Sequence, residues 1–261
     1  MVLEIGKNHS RIAAYLAVFI ALVTVFDLIP MLPGFYGGIW DSWIFLLAPI
    51  IGVLLGPLFG MLAVGFGSLL GHILYFRDPF ELLFMLGAVV GTACATLIFQ
   101  RRWKPVLIIY TVLLGGYFLY PISWMLPLIG IWDILLAYVL LLLFSIQISR
   151  QWCLTDTWKN IWLQLLFAAI IGLEADILFR VFILVPGQTY WLFYGLTPDA
   201  LYWIWLTAGI ITPTKVALGT LFTVTIGYSL LRLLPRTEIP LTKDFGTLNT
   251  SPSPLETSDP N

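Results

Sequence analysis

The chain has 261 residues, of which 60% are hydrophobic and only 10% are charged, and its mean hydropathy is +0.96. Soluble domains carry about 25% charged residues, so this composition excludes a soluble globular protein and predicts a polytopic membrane protein. The formal net charge of -1, from 13 basic and 14 acidic residues, excludes the basic field that attracts nucleic acid. The two cysteines, Cys94 and Cys153, have neither the spacing of a metal site nor the density of a disulfide scaffold.

Seven apolar stretches predict where the chain crosses the membrane. The first covers residues 12–29 and follows Lys7 and Arg11. It ends in Asp27 and two prolines and lacks the small-residue cleavage site of a signal peptide, so we expect a retained first span. The other stretches cover residues 43–75, 80–99, 105–120, 126–148, 161–185 and 201–234.

The stretch at 43–75 has 33 residues, whereas one spanning helix needs about 20. Lysine and arginine residues cluster near 7–11, 101–104, 150–159 and 232–243. The positive-inside rule places all these clusters in the cytoplasm, so residues 43–75 must cross twice. Gly56-Pro57 provides the turn, because glycine commonly ends a helix and proline suits the first position of the next. We expect a short or partly re-entrant span at 43–55 and another span at 57–75.

By the same parity, the 34 residues of 201–234 cross once. Thr212-Pro213 is predicted to interrupt the helix, and the segment before it is rich in the Trp and Tyr residues that favour the membrane interface. We therefore expect an outer interfacial segment at 186–212 and a last span at 213–234. The predicted fold is an all-α, polytopic bundle of about eight spans in the cell membrane, with both termini cytoplasmic. Its parts are a cytoplasmic N-terminus (1–11), a transmembrane domain (12–234) and a disordered tail (235–261) rich in Pro, Thr, Ser and Asp.

The ionisable residues within this threading lie mostly on the outer side. They are Asp27, Asp41, Arg77, Asp78, Glu81, Asp133, Asp176, Arg180, Asp199 and Lys215, with Glu174 near the middle of the membrane. An ionised side chain at the bilayer centre costs about 2.5–3.5 kcal/mol, so such groups normally face a bundle interior or a wet cavity. A vestibule open to the outside accounts for them. The residues nearest the span ends can alternatively snorkel into the headgroups.

One predicted helix carries three of these groups. Asp176 and Arg180 are four residues apart with the acid first, so they share a helix face and can pair. Glu174 lies about 200 degrees around the helix from Asp176 and must face another neighbour. Either a structural ion pair or the lining of a cavity explains the three groups. Lys215 either snorkels outward or neutralises an acidic ligand group, and His72 is more typical of a packing or hydrogen-bonding residue than of a ligand-binding one.

Aromatic residues on the same side, Trp40, Tyr190, Trp191 and Tyr194, are suited to stack on a flat ring. Together with the polar groups they define the site that the sequence predicts. The candidate substrate-binding residues are Trp40, Glu81, Glu174, Asp176, Arg180, Tyr190, Trp191 and Lys215. The sequence predicts no catalytic residue, no metal site and no cofactor.

Small residues recur at helical spacing in three segments. In lipid, close backbone approach through small residues carries much of the association between helices. Two of these stripes, which we expect to pack inside the bundle, are Gly60, Ala63, Gly67 and Gly71, and Gly87, Gly91 and Ala95. The stripe in the first span consists of Ala13, Ala17 and Ala21. Its periodicity permits packing inside the bundle or against a second membrane protein.

Four features follow one another along the chain. They are the Ala13-xxx-Ala17-xxx-Ala21 stripe, the short second helix running into Gly56-Pro57-Leu58-Phe59-Gly60, the glycine-rich third helix Gly65-Phe66-Gly67-Ser68-Leu69-Leu70-Gly71, and a last helix opening with Pro213-Thr214-Lys215. In this order they resemble the substrate-binding S component of energy-coupling factor (ECF) vitamin transporters. The resemblance covers residues 12–99 well and residues 161–234 more loosely.

The resemblance implies a six-helix core that captures a vitamin or similar small molecule at its outer face. It implies transfer to a membrane coupling subunit driven by two ATPases, with Ala13, Ala17 and Ala21 contacting the coupling subunit. The chain has no G-x-x-x-x-G-K-[ST] motif, so ATP hydrolysis is expected from partners. Residues 105–148 become a two-span hairpin inserted into the core, and the tail is an addition to it. Besides these subunits, the expected partners are a small-molecule substrate, whose identity stays open, and membrane lipid.

Two other functions stay open. A membrane scaffold or morphogenesis protein with a similar core would not need Glu174, Asp176 and Arg180 at depth, whereas a binding protein would use them to orient a polar solute. An intramembrane enzyme is the second alternative, because Glu174-Ala-Asp176-Ile-Leu-Phe-Arg180 is similar to the acid-and-arginine motif of CAAX-type proteases. That chemistry also needs later histidines, and His9 and His72 both lie upstream. Neither H-E-x-x-H nor G-x-S-x-G occurs, so we do not expect an enzyme.

Overall fold

A computed structural model describes residues 2–29, 42–76, 81–149 and 158–233. Its regular secondary structure in these residues is helical, which confirms the predicted all-α class. The helices are α1 (Val2–Leu28), α2 (Ala48–Leu74), α3 (Glu81–Phe84), α4 (Leu86–Phe99), α5 (Trp103–Leu119), α6 (Trp132–Ser149), α7 (Trp158–Leu184), α8 (Thr189–Leu192), α9 (Pro198–Phe222) and α10 (Tyr228–Leu233), with a π-helical turn at Thr223–Gly227. Short 3-10 helices cover Trp43–Leu46, Pro121–Met125 and Leu128–Gly130. The tail predicted at 235–261 lies outside the described residues.

Helix lengths fit a membrane protein. In the part of the chain just defined, three helices are long and apolar enough to cross a membrane, namely Ala48–Leu74, Glu81–Phe99 and Pro198–Arg232. Shorter apolar helices of 10–17 residues cover Ile12–Leu28, Trp103–Leu119 and Trp132–Ile146. Because a bilayer core about 30 Å thick is crossed by about 20 helical residues, length and composition support the presence of membrane-spanning helices.

The α2 helix is divided at Gly56, where the sequence predicts a turn. Gly56 has a φ of 81° and a ψ of 174°, a conformation open to glycine and disfavoured for residues with a side chain. The chain reverses there, since a Cβ atom on Gly60 would lie 2.8 Å from the Cα atom of Gly52, whereas a straight helix would separate them by about 12 Å. Thus α2 is a hairpin of a short arm (residues 48–55) and a long arm (residues 57–74), which confirms the predicted short second segment.

The glycine stripe of the long arm packs against α1. A Cβ atom on Gly67 would collide with Val23, and one on Gly71 would collide with Asp27. Because both numbers rise together in the two pairs, α1 and the long arm run parallel. The short arm runs antiparallel to both, so α1, the short arm and the long arm alternate in direction. Packing inside the bundle, as predicted for this stripe, is confirmed.

The second stripe lies between α4 and α7. Gly87 faces Asp176, and Gly91 faces the carbonyl oxygen of Gly172, so closely that a side chain on either glycine would collide. Residue numbers fall along α7 as they rise along α4, so the two helices run antiparallel. On its other side α4 packs antiparallel to the long arm of α2, through the pairs Gly60–Thr92 and Gly65–Val89. The predicted packing of the second stripe is therefore also confirmed.

The last long helix runs antiparallel to α7. Gly219 faces Leu173, and Gly227 faces Leu165, so the two numberings run in opposite senses. Consecutive long segments of the bundle consequently alternate in direction from α1 to α9. The described N-terminal and C-terminal residues lie at the same end of the bundle, as the predicted threading requires.

The predicted inserted hairpin, α5 and α6, is an integral part of the core. The hydroxyl of Tyr110 donates to the carbonyl oxygen of Ile171 at 2.7 Å. The ring of Tyr117 stacks on that of Trp205, with centroids 6.3 Å apart. The sequence predicts a span from residue 126, but α6 begins at Trp132. Leu126 is extended, with ψ 140°, because a residue that precedes proline is disfavoured in helical conformation.

The start of α9 follows ordinary capping rules. Thr197 is extended at the N-cap, its hydroxyl accepts a hydrogen bond from the backbone N–H of Ala200, and Pro198 occupies the first turn. Threonine at this position satisfies an otherwise unpaired N–H, and proline there costs no hydrogen bond. The helix then continues without interruption to Phe222.

This continuity contradicts the predicted break at Thr212-Pro213. Proline has no N–H, so the carbonyl oxygen of Gly209 loses its partner within the helix. The indole Nε1 of Trp132, on α6, donates to that oxygen at 2.9 Å, and such compensation by a neighbouring helix lets a buried helix tolerate proline. The outer interfacial segment predicted at 186–212 is helical over residues 198–212, where it is continuous with the predicted last span.

Candidate functional site

The deep ionisable side chains of the described residues form two groups on opposite faces of α7. The first group consists of Asp27, His72, Glu81, Asp176 and Arg180, and with the hydroxyl of Ser42 it is called here the junction cluster. The second group contains Glu174, Asp133 and Lys215. The predicted angular separation of Glu174 from Asp176 is therefore confirmed, since the two residues face different neighbours.

Asp176 and Arg180 form the predicted ion pair. The Arg180 Nε atom donates to Asp176 Oδ1 at 2.5 Å, and Arg180 is only 1% exposed. The pair lies against α4 at Gly87, where a side chain would collide with Asp176 Oδ1. Glycine at this position is thus what lets the two helices approach while the carboxylate stays between them.

The other half of the junction cluster joins α1, α2 and α3. His72 Nδ1 lies 3.0 Å from Asp27 Oδ2 and 2.8 Å from the carbonyl oxygen of Ser68. His72 Nε2 lies 3.8 Å from Glu81 Oε2. The hydroxyl of Ser42 donates to Asp27 Oδ1 at 2.8 Å. His72 is thereby a hydrogen-bonding residue between two carboxyl groups, in agreement with the interpretation favoured from the sequence.

The junction cluster encloses little space. A cavity of about 10 Å³ lies between its residues, which is roughly the room that one water molecule needs. The charged groups lie close to one another around this small cavity, because helices joined through glycine approach closely. The outward vestibule that the sequence predicts beside Glu81, Asp176 and Arg180 stays a prediction.

The second group borders a larger space. A groove of about 370 Å³ runs between α6, α7 and α9. Its walls are mainly apolar, formed by residues that include Leu136, Leu140, Leu166, Ile170, Val216 and Ala217. Asp133 and Glu174 contribute carboxyl groups to the same lining. The structure thus places Glu174, one of the predicted binding residues, in the wall of a cavity of ligand size.

Hydrogen bonds and electrostatics shape one end of this groove. The hydroxyl of Thr212 lies 2.5 Å from Asp133 Oδ2 and also reaches the carbonyl oxygen of Ala208. Lys215 is 1% exposed, with its Nζ atom 5.3 Å from the centre of the Phe45 ring. Snorkelling to the surface, one of the two alternatives for Lys215, is therefore excluded. The Lys215 ammonium group and the Asp133 carboxyl group both lie within electrostatic range of the Glu174 carboxyl group.

The predicted aromatic walls are not brought together with the acids of the groove. Tyr190 is buried in the core, where burial and the neighbouring Tyr120 raise the pKa of its phenol. Trp191 is 58% exposed, and Tyr194 contacts Phe84 with ring centroids 6.3 Å apart. The structure does not describe Trp40, nor Asp41, Arg77 and Asp78. The aromatic residues at the groove are instead Trp132 and Trp162, which sequence reasoning missed because a single tryptophan in an apolar stretch carries no signal of the face it occupies.

The alanine stripe of α1 faces outward. Ala13, Ala17 and Ala21 are all exposed, while Val23 and Asp27 on another face of the helix pack on α2. Of the two possibilities left by the periodicity, packing inside the bundle is thereby excluded. The face is available to lipid or to a second membrane protein.

Fold and site together define an all-helical protein with helices of membrane-spanning length and a lateral groove that contains two buried acids. The chain matches no known protein family, no curated protein and no solved structure.

Proposed function

We propose that this protein is the membrane-embedded, substrate-binding subunit of an uptake system, which holds a vitamin-like small molecule and relies on partner subunits for ATP-driven transport. The observation that carries the proposal is the groove between α6, α7 and α9. Its volume of about 370 Å³ falls within the roughly 300–1,000 Å³ of small-molecule sites, which are likewise mostly apolar with a few placed polar groups. We therefore propose the groove between α6, α7 and α9 as the binding site, in place of the outer recess expected from the sequence.

The proposed setting is the cell membrane, crossed by about eight segments with both termini in the cytoplasm. The alternating directions of the helices support this threading, as does the placement of Arg102 at the turn between α4 and α5, near the end of the bundle where the chain starts. Under the positive-inside rule that end is cytoplasmic. The short arm of α2 then enters from the outer side, and the long arm returns to that side.

The proposed partners are a membrane coupling subunit and two ATPases. The exposed face of Ala13, Ala17 and Ala21 supports a docking role for α1, because small residues permit close helix approach in lipid. The resemblance to ECF S components assigns the same face to the coupling subunit. With no phosphate-binding loop in its sequence, this chain would supply recognition, and the partners would supply energy.

A thermal-shift screen in mild detergent tests the proposal. Vitamins and nucleobase-like compounds, both water-soluble and lipophilic, are screened against the wild type, Glu174→Ala and the control Asp199→Ala, an exposed acid at the start of α9. We expect a saturable shift with one compound that Glu174→Ala removes and Asp199→Ala preserves. No saturable shift with any compound, together with no co-purifying ATPase, would favour the membrane-scaffold alternative.

A further inference from the structure

We propose that the groove binds a predominantly apolar molecule that carries one hydrogen-bond-donating group, a hydroxyl or an amine, and that this molecule enters sideways from the bilayer. The inference rests on the proposed function and names the class of its substrate. It follows from three features of the groove: where it opens, which polar atoms in it lack a partner, and how its charges are arranged.

The groove opens along its side. Both α6 and α9 pack on α7. At one end, Trp132 on α6 donates to the carbonyl oxygen of Gly209, and Thr212 on α9 donates to Asp133, which ties α6 to α9. Beyond that end the flanks are exposed apolar residues, with Leu136 49% and Leu221 63% exposed. In a membrane, such flanks face lipid chains, so the open side is reached from the bilayer more directly than from water.

Two buried polar atoms in the groove wall have no hydrogen-bond partner among the described residues. They are Glu174 Oε2 and the hydroxyl oxygen of Thr220, and the residues are 2% and 7% exposed. Buried polar groups are normally paired, because a buried donor or acceptor without a partner loses its hydrogen bond to water and gains none in return. Gly219 contacts Leu173. Because α7 and α9 run antiparallel, Glu174 and Thr220 lie on either side of that contact, with their backbone levels about 3 Å apart.

The hydroxyl of Thr220, like that of Thr223 in the π-helical turn, has no hydrogen-bond partner among the described residues. Hydroxyls of other threonines in the bundle donate to the carbonyl oxygen four residues earlier, as Thr92 does to Ala88 and Thr214 does to Ile210. Thr220 makes no such bond. A single ligand hydroxyl or amine between the helices could donate to Glu174 and pair with Thr220, which would satisfy both orphan atoms at once.

The acidic groups in the groove wall favour a ligand that donates a hydrogen bond. Glu174 retains a carboxyl oxygen that accepts a hydrogen bond whether it is ionised or protonated, and Asp133 lies close enough to act on it. An ionised ligand carboxylate or phosphate has no proton to donate to Glu174 Oε2, and its negative charge would face two acids and a single ammonium group, that of Lys215. The apolar remainder extends from Glu174 to Trp162, twelve residues or about 18 Å along α7, which suits an elongated body.

The test uses brominated probes of one chain length and the protein in lipid nanodiscs. Bromine quenches tryptophan fluorescence at contact, and Trp132 and Trp162 line the groove. The probes are 12-bromododecan-1-ol, 12-bromododecan-1-amine, 12-bromododecanoate and 1-bromododecane. We expect saturable quenching by the alcohol and the amine, and only the linear quenching of bulk partitioning by the other two. The double substitution of both tryptophans with phenylalanine should remove the saturable part.

Variants separate the contributions. Ala217→Phe fills the open side of the groove, and its control Leu218→Phe alters an exposed neighbour outside the lining, so saturable quenching should vanish only in the first. Thr220→Val should weaken alcohol binding several-fold, and Thr214→Val should not. Glu174→Leu should weaken it about tenfold. If Glu174→Leu fails to fold, Glu174→Gln serves in its place, since it keeps an acceptor and should begin to admit the carboxylate probe.

Quenching that is equal for all four probes, or unchanged by Ala217→Phe, would overturn the inference. The inference also fails if a water-soluble compound from the thermal-shift screen binds and is blocked by Ala217→Phe while no brominated probe saturates. In that last case the proposed function survives and only the ligand class is wrong. If no compound in either experiment binds saturably, the proposed function fails as well.

Discussion

Within α7, the position of each charged residue decides what it contacts. Asp176 and Arg180 share one face and pair across a single helical turn, while Glu174 points to the groove. A buried ion pair contributes little net stability, but removing one partner leaves the other charge buried without compensation, at a cost of about 3–5 kcal/mol. The consequence is measurable with single and double variants.

Arg180→Met should destabilise the protein by about 3–5 kcal/mol, because Asp176 is then buried without its arginine. The double variant Asp176→Leu/Arg180→Met should recover a large part of this loss. Thermal unfolding can be followed by a thiol-reactive dye at Cys94, which is fully buried, in a Cys153→Ser background. Equal stability of the single and double variants would show that the pair is not coupled.

Trp132 and Pro213 should be coupled energetically. Trp132→Phe removes the donor to the Gly209 carbonyl oxygen and should cost about 1 kcal/mol. In a Pro213→Ala background, the restored backbone N–H reaches the same oxygen, so the cost of Trp132→Phe should fall towards zero. Trp203→Phe, an exposed tryptophan of the same helix as Pro213, is the control and should cost the same in both backgrounds. An equal stability cost of Trp132→Phe in the wild-type and Pro213→Ala backgrounds would contradict the coupling.

Sequence periodicity predicts much at this scale but not the partners. A repeat of 3.6 residues suffices to pair Asp176 with Arg180 and to turn Glu174 away from them. It does not reveal that Trp132, far away along the chain, supplies the hydrogen bond that Pro213 removes, since such compensation depends on tertiary contacts. The same limit explains why Thr220 is absent from the binding residues that the sequence predicts.

At the scale of helices, glycine spacing determines which elements touch. Gly52 and Gly60 let the α2 hairpin close on itself, and Gly87 and Gly91 let α4 approach α7. Because hydrophobic burial gives helices in lipid no net attraction, such close contacts are a main source of association. Adding even a methyl group at one of these contacts should therefore lower the stability of the protein.

Gly91→Ala should lower stability by about 1–3 kcal/mol, since its Cβ atom would lie 2.7 Å from the carbonyl oxygen of Gly172. Gly115→Ala provides the matched control, because nothing lies within 4 Å of its Cβ position. This second change should be neutral or stabilise the helix by up to about 1 kcal/mol through helix propensity. The dye-based unfolding of Cys94 compares the two, and a similar effect of both would contradict close packing at Gly91.

Element prediction succeeded where backbone chemistry is local. The turn at Gly56 follows from glycine and proline in sequence, and the two glycine stripes follow from their spacing. It failed at the ends set by tertiary structure: α6 starts six residues later than predicted, after two 3-10 helices, and α9 starts before Pro213. Proline is a break only where no neighbour can replace the lost hydrogen bond.

At the scale of the molecule, the threading predicts which ends face outward. Arg102 and Asp199 are both exposed and lie at opposite ends of the bundle. In a Cys153→Ser background, an engineered thiol at 199 should react with an impermeant maleimide added to intact cells. A thiol at 102 should react only after permeabilisation. Labelling of position 102 from outside would be incompatible with the proposed orientation.

Composition and charge suffice to predict helices, a membrane setting and a common end for both termini, because these depend on sums over many residues. The location of the cavity depends on where helices fail to meet, which no local pattern encodes. The sequence predicts that the outer acids border a recess. Of the described ones, Asp27, Glu81 and Asp176 lie in the junction cluster, Asp133 lines the groove and Asp199 is exposed. Glu174 borders the groove because α6 and α9 are in contact at Asp133 and Thr212 but separate further along α7.

The most direct measurement is native mass spectrometry of the protein released from its own membrane without detergent exchange. The account predicts a bound molecule of discrete mass on the wild type and on Leu218→Phe, and its loss from Ala217→Phe, which occupies the groove. A wild type that carries no such molecule, or an adduct that Ala217→Phe retains in full, would contradict the claim that the space between α6, α7 and α9 is a ligand site.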